Sequence, residues 1–503
     1  MKVLLINPNR TFDMRGGHSP SVGLPLGLLY VAASLEEHRI PVSIFDCMIS
    51  PQTRFVPSKE IAFIGVQPEV VRAAVLAEQP DIVGISSQFT SEWENAYEAV
   101  KIVRETLPEC PIVLGGPHAT VAGKQILNTC PEVDFIVGGE GEKSFPRLVA
   151  AIEQNDTAAF ASIPGLLWRG EDGTVQANSV EAIQDLDALP FPAYHLIDFK
   201  RLYELQAEGL FSRGSSSDYA YQNSISTITS RGCPYTCTFC SIHLSMGYKF
   251  RAHSVEYTVK HIKYMAENLG VRHLHIEDDN FTFKRDRANE ICRRMIEEGI
   301  QLTWDTPNGI RADTLNDELL DHMKRSGCTS LTIAAESGDQ GVLDRLVKKR
   351  LNLKSIETAA SLAWKHRIPM SCFFIIGFPG ETKKEIQNTI EFALDLFARH
   401  RCRPKLGVAT PLLGTELAEV AMTKGYLFRD LSPRNLARGT AGRGAGMIKT
   451  PEWDPEYLRR CCTIFNYRRK MVRLRHLLQD RGELVAAVKR RLPLRRKQFA
   501  LAR

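Results

Sequence analysis

The sequence predicts an α/β protein: an N-terminal doubly wound, Rossmann-like parallel sheet, then a partial (β/α)6 TIM barrel, then a helical C-terminal region. Three observations predict it. Short apolar runs ending in small residues alternate with helical stretches over residues 1–150. After a connecting region, 151–222, five β-to-α repeats and a closing strand fill 223–420. In the C-terminal region, 421–503, apolar and basic residues interleave near helical spacing from Leu458.

In the first unit, Val3-Leu4-Leu5-Ile6 is a strand ending at Asn7-Pro8, and Gly27 to Glu37 has helical spacing. Val42 to Phe45, Ile82 to Ser86, Ile112 to Gly116 and Phe135 to Val137 are the further strands. Helices are expected over Glu69–Ala77, Ala96–Glu105 and from about Lys143. Such an alternation calls for a parallel sheet with crossover helices, whose ligands bind beyond the carboxyl ends of the strands. Those ends carry Ser86-Ser87-Gln88, Gly115-Gly116-Pro117-His118 and Gly138-Gly139-Glu140-Gly141-Glu142. Small residues there can bring backbone close to a ligand, or can simply turn the loops. No G-x-G-x-x-G opens a helix after the first strand, which disfavours a nicotinamide-binding domain. In the connecting region, Gly165 to Trp168 and Gly173 to Val175 suggest a small hairpin turned at Glu171-Asp172-Gly173. Leu186–Pro192 and Ser212–Ser217 are linker-like.

The second unit opens on Ser226-Thr227-Ile228-Thr229-Ser230, a strand that runs into Arg231-Gly232-Cys233-Pro234-Tyr235-Thr236-Cys237-Thr238-Phe239-Cys240. The spacing is C-x3-C-x2-C. Three thiolates in one loop can bind three irons of a 4Fe–4S cubane and leave the fourth iron open, whereas four-cysteine ferredoxin patterns saturate it. A zinc ribbon needs a second C-x2-C or a His pair, and neither is evident, although His243 could complete a zinc site with the cysteines. The other nine of the twelve cysteines are scattered and read as small buried apolar residues. Further strands are His273 to Glu277, Leu302 to Asp305, Leu331 to Ala334, Cys372 to Ile376 and Lys405 to Ala409. Helical stretches lie near 254–268, 285–298, 315–326, 354–366 and 382–399. Chemistry in barrels of this kind collects at the C-terminal strand ends. Here those ends read Glu277-Asp278-Asp279-Asn280, Asn308-Gly309-Ile310-Arg311, Glu336-Ser337-Gly338, Gly377 to Thr382 and Pro411 to Thr415. Asp313 and Asp317 read as helix caps.

The cysteine loop, with aromatic Phe239 before its last cysteine, closely resembles the signature of the radical S-adenosylmethionine (SAM) superfamily. The strand ends, in order, resemble radical SAM enzymes with an N-terminal cobalamin domain, as do Pro25 to Tyr30 and Asp81 to Ser86; the resemblance spans about residues 1–420. It implies a 4Fe–4S cluster on Cys233, Cys237 and Cys240, and SAM near Phe239, Asp278, Asp279 and Glu336, with Arg311, Ser337 and Gly377 as further contacts. It implies cobalamin at Ser86, Ser87, Gly115, Gly116, Gly138, Gly139, Glu140 and Gly141. His118 lacks the D-x-H-x-x-G context of a lower axial ligand, and no axial ligand is assigned. The implied reaction is methylation of an unactivated carbon of a small-molecule, lipid or natural-product substrate, using a 5′-deoxyadenosyl radical and methylcobalamin. Oxidative cyclisation or ring rearrangement within the same family is the alternative, and a non-catalytic corrinoid sensor a more distant one. No catalytic base is assigned; Tyr235, His243 and Tyr248 are candidate substrate contacts. An electron donor such as flavodoxin or ferredoxin is an expected partner.

The chain has 503 residues, 44% of them hydrophobic and 24% charged, which excludes disordered, collagenous and disulfide-scaffold classes. No apolar run reaches the length of a spanning helix. MKVLLINPN holds too short an apolar run for a signal peptide, so a cytoplasmic location is expected. The formal charge of +6 is mild and concentrates at the C-terminus, so no nucleic-acid partner is expected. From Leu458, apolar Cys461, Cys462, Phe465, Val472, Leu474, Leu477 and Leu478 alternate with arginines, and residues 489–503 carry basic residues and no acid. That segment either packs on the barrel with a solvated tail, or makes peripheral contact with an anionic membrane or covers an apolar substrate.

Overall fold

A computed structural model describes residues 1–14, 20–58, 60–210, 221–440 and 446–479. The strands of the first unit are β1 (Val3–Asn7), β2 (Arg10–Asp13), β3 (Val42–Asp46), β4 (Arg54–Val56), β5 (Ile61–Gly65), β6 (Ile82–Ser86), β7 (Ile112–Gly115), β8 (Phe135–Val137), β9 (Leu166–Arg169) and β10 (Val175–Ala177). Seven form one sheet in the order β10-β9-β8-β7-β6-β1-β3, and its members from β8 to β3 pair in parallel. Helices cover both faces, which is why these strands are continuous apolar runs. Along β1, Leu4 and Ile6 enter one core and Val3 and Leu5 the other, all at most 1% exposed. Full burial of each contributes about 1.5–3 kcal/mol.

Two features differ from the sequence reading. The hairpin β9–β10 pairs antiparallel with β8 and carries the sheet past residue 150 to Ala177. In addition, β2, β4 and β5 make a small antiparallel sheet that the reading lacks.

The second unit contains β11 (Ser224–Thr227), β12 (Ser230–Arg231), β13 (Arg251–Ala252), β14 (His273–Ile276), β15 (Thr303–Ile310), β16 (Cys328–Glu336), β17 (Met370–Ile376) and β18 (Arg403–Val408). Six of them lie in sequential order, β11-β14-β15-β16-β17-β18, every pair parallel and joined through helices. The expected first strand stops early, because the Asp278 carboxylate accepts from the Thr229 amide at 2.5 Å and hydroxyl at 2.7 Å. Ser230 and Arg231 then leave the sheet to pair with β13. Residues 308–310, expected as a loop, belong to β15, whose pairing with β16 is irregular there.

The connecting and C-terminal parts tie the units together. Helix Pro117–Thr129 packs on the short helix Ile242–Met246 that follows the cysteine loop. Helix Pro433–Thr440 packs on Thr90–Glu92 of the first unit. Helix Pro455–Gln479 lies against helix Lys383–His400 and β18, burying Leu458, Cys461, Cys462 and Phe465, while Leu474 and Leu478 are exposed. Its apolar face therefore packs on the barrel side. Residues 489–503 and Ser212–Ser217 lie outside the described residues. Among the described residues no helix is long and apolar enough to cross a membrane.

Candidate active site

The cysteine loop is held by its surroundings before any ligand is considered. Gly232 has φ +79°, and a Cβ there would stand 2.4 Å from the Lys249 carbonyl oxygen, so only glycine fits. The Thr238 amide donates to the Val347 carbonyl at 3.2 Å and its hydroxyl to the Leu346 carbonyl at 2.7 Å. All nine scattered cysteines are buried; Cys233, Cys237 and Cys240 alone are part-exposed. His243 stacks on Tyr248, ring centroids 4.6 Å apart.

Burial pushes the three thiols up, Cys240 to about 12, while Lys349 and Arg311 pull Cys237 back down. Lys349 is buried and pairs with Glu336 at 2.9 Å. Glu336 ends β16 with φ +69°, so the strand terminus is turned to meet that lysine. The Arg311 guanidinium lies 3.8 Å over the Tyr235 ring and is oriented by Asp313, at 3.0 and 2.7 Å, and by the Lys349 and Arg350 carbonyls. Asp313 is thus a partner of Arg311, not a cap; Asn316 caps the following helix, and Asp317 pairs with Lys365. Burial, then the charge of Asp278, raises Asp279 to about 7. Phe239 and Phe378 face each other at 6.0 Å beside Gly377. Gly377 has φ +90°, and a Cβ would meet Leu458 Cδ1 at 2.7 Å.

The structure thus brings together Cys233, Cys237, Cys240, Arg311 and Glu336, with Lys349, which the sequence reading missed. Two expected SAM contacts have other partners. Asp278 accepts from Thr229 and, at 2.5 Å, from the Ser230 hydroxyl, and so holds the loop. The fully buried Ser337 hydroxyl is bonded to Thr389 Oγ1 at 2.9 Å and accepts from the Asp339 amide.

In the first unit the parallel strands run in the order 2-1-3-4-5, so the order reverses between β1 and β6. A cleft opens at that switch point, lined by Asn7, Asn9, Met48, Ser86, Ser87 and Gln88 among others. Ser87 lines this cleft, and its Oγ is buried with no hydrogen-bond partner among the described residues. Gly116, φ +103°, would drive a Cβ to 2.8 Å from the Ser87 carbonyl oxygen. A Cβ on Gly139 would stand 2.3 Å from Val180, and one on Gly141 3.2 Å from Val31. Glu140, its side chain 1% exposed, binds Arg251 at 2.6 and 2.8 Å and accepts from the Ile183 amide at 2.7 Å. Beside it, Glu142 pairs with Arg231 at 2.6 Å, and Arg231 also lies 3.7 Å from Glu140. This four-charge cluster fastens the first unit to the β12–β13 pair that precedes the cysteines. Nothing in the sequence could signal it, since its partners lie 89 and 111 residues apart. His118 is turned to Thr90 Oγ1 at 3.0 Å, and burial lowers its pKa to about 4.

Two family models match the chain: the radical SAM superfamily over residues 227–393 and the B12 binding domain over 14–149. Cytidylyl-2-hydroxyethylphosphonate methyltransferase of Streptomyces wedmorensis is 31% identical over 497 residues, 92% of this chain and 89% of that protein. An uncharacterized methyltransferase of Pyrococcus horikoshii is 30% identical, covering 85% of this chain and 84% of its own length. Among solved structures, the cobalamin-dependent SAM radical enzyme OxsB with aqua-cobalamin and S-adenosylmethionine bound superposes with TM-score 0.70 at 16% identity, over 98% of this chain and 75% of that one. The radical SAM methyltransferase TsrM from Kitasatospora setae, with cobalamin and a 4Fe–4S cluster, does so with TM-score 0.65 at 18% identity, over 84% and 78%. These two likenesses concern the fold.

Proposed function

The chain belongs to the cobalamin-dependent radical SAM methyltransferases, enzymes of a 4Fe–4S cluster, SAM and cobalamin, and from that membership we propose that it methylates an unactivated carbon of a small molecule. The observation that carries the reading is the pairing of two edges. The part-exposed cysteine loop lies in the unit that grips the cobalamin domain through Arg231 and Arg251, next to the carboxyl ends of that domain's strands.

When bound, the cluster and SAM supply hydrogen abstraction and cobalamin supplies a transferable methyl group. The protein's part is binding and orientation. Cys233, Cys237 and Cys240 are the cluster ligands in this reading. Arg311 and Lys349 offer fixed cations beside them for the SAM carboxylate, Asp279 and Glu336 the anionic side for its amino group, and Phe239 an apolar wall. Ser86 and Ser87 line the switch-point cleft that would hold the corrinoid, with Gly115 and Gly116 beside them. The six strands act as a partial (β/α)6 barrel whose carboxyl ends present Ser226, Glu277 and Asn308, linked by hydrogen bonds of 2.6 and 2.7 Å. That polar wall favours a polar substrate over a lipid, in keeping with a relative named for a cytidylyl phosphonate. A flavodoxin or ferredoxin is the fitting electron donor.

The test is anaerobic turnover of reconstituted protein with SAM, reductant and metabolite extract from a deletion strain. A product heavier by one CH2 supports methyl transfer. A product lighter by hydrogen, with no added carbon, would support the cyclase chemistry for which other relatives, 26–29% identical, are named.

A further inference from the structure

At the opposite end of the barrel strands, three side chains converge that the methyl-transfer reading does not use. His273 and His275 are two apart on β14, so both rings lie on one face of the sheet. The register sets Asp305 of β15 directly beside His275. One donor atom from each of the three lies within 4.8 Å of the others. Asp305 Oδ1 is 2.7 Å from His275 Nδ1 and 3.6 Å from His273 Nε2. All three side chains are at most 1% exposed.

The hydrogen bonding of His273 and Asp305 is incomplete in an informative way. His273 Nδ1 is engaged by Thr303 Oγ1 at 2.8 Å, and its ring is stacked on Tyr221 with centroids 3.4 Å apart and planes within 2°. That fixes the ring and leaves Nε2 directed inward, the arrangement in which metal-ligating histidines are held by a partner on the other nitrogen. His273 Nε2 and Asp305 Oδ2 are both buried with no hydrogen-bond partner among the described residues. A buried carboxylate with one bare oxygen beside a bare imidazole nitrogen is costly. A single cation would satisfy both atoms at once.

We propose that His273, His275 and Asp305 bind a divalent first-row transition cation, held as two imidazoles and one carboxylate with the remaining positions for water. The site lies at the amino ends of β14 and β15, away from the Glu277–Asp279 loop, and is independent of the cysteine cluster. Its role is to fasten these two strands and the Tyr221 segment at the floor of the barrel.

Zinc is the probe. Full-length, cluster-loaded protein is equilibrated anaerobically with excess Zn2+, desalted, and its zinc and iron measured separately by mass spectrometry. The expected result is one zinc retained per chain with iron unchanged, and a higher melting temperature with zinc than without. His273→Ala and Asp305→Asn should each weaken retention by about tenfold or more. The Asn variant keeps the shape of the carboxylate and carries the test if the Ala variant does not fold. Wild-type protein that retains no zinc, variants that retain as much as wild type, or zinc gained only as iron is lost would each overturn the site.

Discussion

Glu140 grips Arg251 across the boundary between the two units, with both carboxylate oxygens on the guanidinium at 2.6 and 2.8 Å and both side chains at most 2% exposed. Removing one partner of such a pair leaves a buried charge unpaired. Glu140→Ala should therefore destabilise the full chain by about 3–5 kcal/mol, read from denaturant unfolding. A loss under about 1 kcal/mol, the range of a surface pair, would show that the clamp is not formed.

Gly232→Ala tests the backbone of the cysteine loop. At φ +79°, with a Cβ 2.4 Å from the Lys249 carbonyl, the loop must shift. A strain of about 1–3 kcal/mol should fall on the cluster loop, lowering iron and sulfide content while circular dichroism stays near wild type. Full cluster occupancy in the alanine variant would contradict this.

Ser87→Ala tests the switch-point cleft. Its hydroxyl is buried without a partner among the described residues, so the ligand-free protein should lose nothing and gain up to about 1 kcal/mol. Cobalamin affinity should fall about tenfold if that hydroxyl bonds the corrinoid. Equilibrium dialysis decides; unchanged affinity would move the corrinoid away from Ser87.

Glu381 links stability to pH. Burial raises its carboxyl to about 8, although the Gly377 and Phe378 amides donate to it at 2.6 and 3.0 Å. Between the ordinary value of 4.5 and about 8, the folded state holds a proton that the unfolded state has released. Stability contributed by this group is therefore present below that window and falls as pH rises through it. Glu381→Gln should flatten this fall, gaining on wild type by a few kcal/mol, about, between pH 5 and pH 8. Parallel pH–stability curves for the two proteins would show that Glu381 is ionised throughout.

Much of the framework was legible because its strands are buried on both faces: Val3 to Ile6 and Ile82 to Ile85 are apolar runs that only a covered parallel sheet needs. The cysteine motif was legible because the chemistry requires local spacing. Arg10–Asp13 was not, since its four residues are all half-buried and carry no apolar alternation. The close packing of Gly139 on Val180 was not legible either, because a glycine that admits a ligand and one that admits a side chain look the same in sequence. Glu140, Lys349 and the His273–Asp305 pair depend on partners set by tertiary register, which composition does not encode.

The most direct measurement of the central claim is SAM cleavage. Full-length protein, reconstituted anaerobically with iron, sulfide and cobalamin, is incubated with SAM and a strong reductant, and 5′-deoxyadenosine is quantified for wild type and for Cys233→Ala, Cys237→Ala and Cys240→Ala. Wild type should form 5′-deoxyadenosine, and each alanine variant should fall to the level of the protein-free control. A variant that cleaves SAM at the wild-type rate would contradict the assignment of these three cysteines to the cluster.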